Sequence, residues 1–197
     1  MNYADIANLN IYDLLMVLFA YIVGGFSTGY LLVRFIRGVD VRSTGSGGLG
    51  ARNVGRVLGH RGFYLTLFAD IFKGIVIVWL ARWLEYTPVI VGAVVVAVIA
   101  GHIWPIWLQF RGGKGIATCL GAFAVFDYKM LLIGGSVFLV IYIISRKFLV
   151  SWVLAFLALP LLMLFLEYPM YIVVSLFVST TMVIYAHKDN IKQALLS

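Results

Sequence analysis

The chain has 197 residues, 63% of them apolar and 12% charged, where an average soluble domain has roughly 45–50% and 25%. One small core cannot hide that excess, so most of the surface faces lipid and a soluble globular enzyme is excluded. The net charge of +7 gathers at the edges of apolar runs, which argues against a nucleic-acid stripe and suits the orientation signals of a membrane protein.

The N-terminal stretch carries Asp5 and Asp13 and no basic lead-in, so it does not read as a cleavable signal peptide. A membrane-crossing helix needs roughly 20 apolar residues. Leu14 to Val33 supplies the first span, Gly62 to Leu80 the second and Tyr86 to Phe110 the third. Gly115 to Phe126 is short, and Met130 to Ser145 is marginal. Phe148 to Leu166 and Tyr168 to Ala186 are straightforward. The expected fold is all-α: a polytopic membrane helix bundle of about seven transmembrane helices, one of them short. Were segments four and five only to dip into the membrane, the count would fall to five. No internal repeat or low-complexity linker appears, so one domain, 1–197, is expected.

Seven spans place Arg34, Arg37, Arg42, Arg52, Arg56, Arg61, Arg111, Lys114, Arg146, Lys147, Lys188 and Lys192 on one side. The other side keeps Arg82 and Lys129 against Asp5, Asp13, Glu85, Asp127 and Glu167. Positive residues stay cytoplasmic. The N-terminus is therefore expected outside and the C-terminus inside, in the cell (inner) membrane.

Three polar segments fall on the basic side. In Gly45-Ser46-Gly47-Gly48-Leu49-Gly50-Ala51-Arg52-Asn53-Val54-Gly55-Arg56, glycines leave the backbone free to approach a ligand. Successive amides there can form an anion nest, with Ser46 as a hydroxyl donor. Arg52 and Arg56 share a helix face. The segment suits a phosphate; it also reads as a flexible basic loop that sets topology or touches anionic head groups. No Gly-Lys-Ser/Thr follows and no strand precedes, so it is not a Walker loop.

The second segment is Gly101-His102-Ile103-Trp104-Pro105, then Phe110-Arg111-Gly112-Gly113-Lys114-Gly115. Pro105 should unwind the end of span three and free carbonyls that need partners. Glycine amides and one lysine at the start of a helix make an anion site, or else a tight turn with a membrane-edge lysine. His102 reads as hydrogen-bonded within the bundle more readily than as reactive. The third segment, Ala186-His187-Lys188-Asp189-Asn190-Ile191-Lys192, sets His187 and Asn190 on one helix face. Alone, it is equally a snorkelling helix end. Within span two, Asp70 and Lys73 stand three residues apart. Each costs roughly 2.5–3.5 kcal/mol at mid-membrane on insertion scales, so a mutual ion pair is favoured over a relay.

These segments resemble the PlsY family, the membrane glycerol-3-phosphate acyltransferases that use acyl phosphate. The family pattern is approximately Gly-Ser-Gly-Asn-x-Gly-Ala-Thr-Asn-x-x-Arg, then Gly-His-x-x-Pro with Phe-x-Gly-Gly-Lys-Gly-x-Ala-Thr, then His-x-x-Asn-Ile. Here these read Gly45 to Arg56, Gly101 to Thr118 and His187 to Ile191. Asp70 to Gly74 and Ser145-Arg146 with Ser151 match weaker elements. The chain departs from the pattern at Gly48, where the family has asparagine, and at Arg52, where it has threonine. Backbone amides or Arg52 then stand in for that asparagine.

The resemblance implies transfer of a fatty acyl group from acyl phosphate to glycerol 3-phosphate. The products are 1-acylglycerol 3-phosphate and phosphate, the first committed step of phospholipid synthesis. It implies His187, Asn190, Ser46 and Lys114 as catalytic residues. Arg56, Asn53, Gly112, Gly113, Ser151, Arg52 and His102 are implied as substrate-binding. Arg56 and Lys114, helped by the Gly112 and Gly113 amides, would bind phosphate, while Ser46 and Asn53 orient by hydrogen bonds. His187 and Asn190 would position the glycerol or polarise the acyl carbonyl, with the acyl tail in a lateral groove.

None of the histidines has aspartate five positions later (Leu65, Trp107 and Lys192 stand there), so the His-x4-Asp pair of the other large acyltransferase class is absent. The resemblance leaves the substrate phosphate to accept the proton. No cofactor and no metal are expected, because acidic residues are few and no cysteines pair. Expected partners are glycerol 3-phosphate, long-chain acyl phosphate, membrane lipid and the soluble enzyme that makes acyl phosphate; nucleic acid is not among them. The rival reading is a transporter of a phosphate-bearing metabolite, built on broken helices.

Overall fold

The computed structural model describes residues 9–196; Asp5, one of the outer-side carboxylates, lies outside the described residues. Nine α-helices follow one another among them: α1 (Ile11–Gly25), α2 (Thr28–Arg37), α3 (Ala51–Trp83), α4 (Pro88–Ile103), α5 (Ile116–Phe126), α6 (Tyr128–Ser145), α7 (Phe148–Phe165), α8 (Met170–Ala186) and α9 (Lys188–Leu196). Short 3-10 turns occupy Val41–Ser43 and Ile106–Leu108. Among the described residues, five segments are long and apolar enough to cross a membrane, and α8 with α9, bent by 61°, makes a sixth. The fourth expected segment, Gly115 to Phe126, is α5, too short to pass that test. The protein is thus an all-helical, multi-pass membrane protein.

The spans are less continuous than their apolar runs suggest. The first breaks at Phe26 and Ser27, where Ser27 caps α2 by accepting from the Tyr30 amide at 3.3 Å. Helix α3 takes a non-helical turn at Gly59 (φ 71°), a left-handed conformation open to glycine at little cost. The third span was expected to run to Phe110, but α4 stops at Ile103 and the chain turns at Trp104 and Pro105. Proline has no amide donor and clashes with the preceding turn, as the sequence predicts.

Helix α4 lies at the centre, packed by α1, α3, α5 and α8. Glycines set the close crossings. A Cβ on Gly101 would overlap the Tyr21 carbonyl, and one on Gly24 would overlap Val98. Gly74 and Gly121 play the same part between α3 and α5, against Thr118 and Ile71. Small residues let membrane helices approach closely where lipid offers no hydrophobic drive. The short α5 is closed at its far end by Arg82 of α3, whose Nη1 donates to the Val125 carbonyl at 2.7 Å and the Phe126 carbonyl at 3.3 Å.

Inside the bundle, Asp70 and Lys73 form the expected ion pair, at 2.9 Å and both nearly buried. The pair is not alone. Lys73 Nζ also donates to the Phe26 carbonyl at 3.0 Å and meets His102 Nδ1 at 2.8 Å. The break in the first span thus supplies a carbonyl acceptor to a lysine buried among apolar helices.

Candidate active site

The glycine-rich segment 41–56 is an ordered cap. Val41, Leu49 and Val54 are essentially inaccessible and pack with Val33 of α2 and Leu108 into a small apolar cluster separate from the main core. Arg42 Nη1 donates to the Leu108 carbonyl at 3.0 Å and fastens the cap to the 3-10 turn that follows α4. The hydrogen-bonded Arg42 guanidinium, at 2.6 Å, holds the Asp40 carboxyl below the usual carboxylate range.

Asn53 organises this cap and does not reach out of it. Its Oδ1 accepts from the Ser46 amide at 2.8 Å, and its Nδ2 donates to the carbonyls of Val41, Thr44 and Gly48 at 2.9–3.1 Å. The residue is 2% exposed. Both of its amide hydrogens are engaged, so Asn53, expected to orient substrate, here shapes the loop that carries Ser46. The amide nest is likewise partly used, since the Ser46 amide goes to Asn53 and the Gly47 amide to the Thr44 carbonyl. The Ser46 side chain and Arg56 are exposed, and the Arg56 stem lies near Gly45 of the same loop.

The second segment folds back on the broken end of α4. Gly113 N–H donates to the His102 carbonyl at 2.9 Å and Gly112 N–H to the Ile103 carbonyl at 3.0 Å. These are the carbonyls that the Pro105 turn frees, so the two amides expected to meet phosphate satisfy the backbone here. A Cβ on Gly112 would strike the His102 carbonyl, and one on Gly113 the His102 ring; glycine is needed for the close approach. The turn ends at Gly115 (φ 88°), after which α5 begins with no side-chain cap. Its first amides remain open to an anion.

Lys114 leaves this turn and donates to Asn190 Oδ1 on α9. His187, at the bend between α8 and α9, lies tilted against Trp152 of α7, with ring centroids 4.5 Å apart and planes at 57°. Its Nδ1 lies 2.8 Å from the Val183 carbonyl. A carbonyl only accepts, so Nδ1 carries the proton and Nε2 is left as an acceptor. Arg52 reaches from the cap to α7, with its guanidinium 5.3 Å from the centroid of Phe148. Ser151 is fully buried, donating to the Lys147 carbonyl at 2.8 Å and meeting Ser145 Oγ at 3.0 Å. These bonds brace the α6–α7 turn.

The three segments therefore meet, cap to α7 through Arg52 and the glycine turn to α9 through Lys114. Among the described residues, none of Arg52, Arg56 and Lys114 has a carboxylate within ion-pair distance. Partial burial pushes the Lys114 ammonium below the ordinary lysine range; Asp189 works against that shift and Arg52 with it. Uncompensated cations beside an uncapped helix start form an anion-binding arrangement. His102, expected here, instead faces Lys73 with one ring nitrogen and the Gly113 turn with the other.

A family model described as glycerol-3-phosphate acyltransferase matches residues 14–196. A glycerol-3-phosphate acyltransferase of Desulfitobacterium hafniense is 41% identical, covering 93% of this chain and 91% of its own. One of Prochlorococcus marinus is 37% identical over 91% and 92%. A crystal structure of PlsY, an integral membrane glycerol 3-phosphate acyltransferase, in its glycerol 3-phosphate form, superposes with a TM-score of 0.82. It is 30% identical and covers 94% of this chain and 92% of that one. The lysophosphatidic acid form of the same enzyme gives 0.80 at 29% identity. With its fold and nearly its whole length matched, the chain belongs to the PlsY family of membrane glycerol-3-phosphate acyltransferases.

Proposed function

We propose that this chain, as one domain, transfers an acyl group from acyl phosphate to glycerol 3-phosphate in the cell membrane, with its site on the cytoplasmic side and its N-terminus outside. A glycerol hydroxyl oxygen bonds to the acyl carbon while the bond from that carbon to the phosphate oxygen breaks. The hydroxyl proton passes to the departing phosphate, giving 1-acylglycerol 3-phosphate and inorganic phosphate. Both substrates bring phosphate, so the chief task is to neutralise charge and hold geometry.

The observation that carries this reading is the junction of Lys114 and Asn190, with unpaired Arg52 beside it. Lys114 and Arg56 take phosphate as charged donors, and Arg52 adds a third cation. Ser46, on its Asn53-braced loop, donates from the hydroxyl. His187 Nε2 accepts from a glycerol hydroxyl and orients it. The acyl tail leaves laterally into lipid beside α7. The soluble enzyme that makes acyl phosphate would deliver to this face. A transporter needs a polar path across the bundle; here Asp70, Lys73 and His102 engage one another.

The test is phosphate release by purified protein in detergent or lipid mesophase. Turnover is expected with acyl phosphate plus glycerol 3-phosphate, and none with acyl-coenzyme A as donor. No turnover by folded protein with acyl phosphate of any chain length would sink the proposal.

A further inference from the structure

Lys73 has three N–H groups and three acceptors around it: Phe26 O at 3.0 Å, Asp70 Oδ1 at 2.9 Å and His102 Nδ1 at 2.8 Å. An ammonium accepts nothing, so His102 Nδ1 must be the acceptor. A proton on Nδ1, aimed at Asp70 Oδ1 3.5 Å away, would set donor against donor at 2.8 Å. The remaining proton therefore sits on Nε2. That edge of the ring occupies the space where a Cβ of Gly113 would lie, and the His102 carbonyl takes the Gly113 amide. The next residue is Lys114.

We infer that Lys73 is a positioning residue: it locks His102 as its Nε2–H tautomer and thereby holds the glycine turn that presents Lys114 to a phosphate. Asp70 keeps Lys73 charged, and Phe26 at the break in the first span anchors it from the far side. One ammonium thus ties three elements (the α1–α2 break, α3 and the end of α4) behind the site without touching substrate. The proposal rests on the acyltransferase reading for what Lys114 binds, while the tautomer rests on the geometry around Lys73 as the ammonium partner of Asp70.

Two measurements test it. Protein labelled with nitrogen-15 in histidine is expected to show His102 protonated at Nε2 and bare at Nδ1, and His187 the reverse. A proton on Nδ1 of His102 overturns the inference whatever the enzyme does. In kinetics, Lys73→Met should raise KM for glycerol 3-phosphate by about tenfold or more, the scale of one charged hydrogen bond. His102→Gln keeps a donor near the Nε2 position, and adding Lys73→Met to it should change KM by less than about twofold, because the lysine acts through the histidine. Multiplying effects, or an unchanged KM in Lys73→Met, would overturn the role. Wild-type protein run alongside separates the readings: if it lacks turnover the acyltransferase proposal fails, whereas the tautomer is read without activity. Should Lys73→Met not fold, the nitrogen-15 result alone decides.

Discussion

Lys114, two residues ahead of α5, donates to Oδ1 of Asn190 on α9, 76 positions later in the chain. That bond joins the glycine turn at the broken end of α4 to the bent C-terminal helix. It leaves the Asn190 amide hydrogens free to donate. Lys114→Ala removes a charged donor worth about 1.5–3 kcal/mol, so kcat/KM should fall by at least about tenfold, and toward a hundredfold, without loss of the folded form. Lys129 sits at the opposite end, beside the Asp127 cap of α6, and Lys129→Ala should be nearly silent. Phosphate-release kinetics on both variants checks this, and equal effects would refute the site.

Asn53→Ala should loosen the cap and spare the bundle. It strips the Ser46 amide and the carbonyls of Val41, Thr44 and Gly48 of their partner, each buried loss costing about 1–3 kcal/mol. Asn53→Asp should be worse, because a carboxylate oxygen would face those carbonyls. Hydrogen exchange is the readout: amides of 41–50 should lose protection, while α4 amides keep theirs. Uniform loss across the chain would show that Asn53 is no local brace.

The contrast between what was legible in the sequence and what was not follows from the kind of signal. Apolar runs bounded by charge reveal spans because lipid demands them, and Pro105 announces the end of α4. The break at Phe26 and Ser27 lies inside an unbroken apolar run, so periodicity could not mark it. Asn53 looks like a ligand donor in a glycine-rich basic loop; only the fold reveals that carbonyls surround it. Asp70 and Lys73 read as a pair from their spacing, but His102 is on another helix. A signal for it did exist, since a polar side chain within apolar spans must find the others or remain unsatisfied.

Gly113 and Gly48 should respond in opposite ways. A Cβ at Gly113 runs into the His102 ring, which Lys73 holds in place. Gly113→Ala should therefore lower the melting temperature, by the about 1–3 kcal/mol of an overpacked core, and abolish most turnover. At Gly48 the nearest atom to an added Cβ is Ser46 Oγ at 3.9 Å. Gly48→Asn, the residue of the family pattern, should fold normally and keep kcat/KM within about threefold, as expected of an unstrained change with room for the new side chain. Thermal melts with kinetics on the two variants test the pair.

Arg52 gives the sharpest pH prediction. Lys114 binds phosphate as ammonium, and burial together with Arg52 lowers its proton affinity below that of an ordinary lysine. The binding contribution is present below that lowered value and is lost as pH rises through it. The alkaline limb of kcat/KM, which reports the free enzyme, should then fall below the ordinary lysine pKa of about 10.4. Arg52→Thr removes a positive neighbour and should shift the limb to higher pH, even as it raises KM by the loss of a cation. Lys114→Arg should remove the limb from the accessible range, since guanidinium keeps its proton. A limb that stays put in Arg52→Thr would mean that the two cations do not share one field.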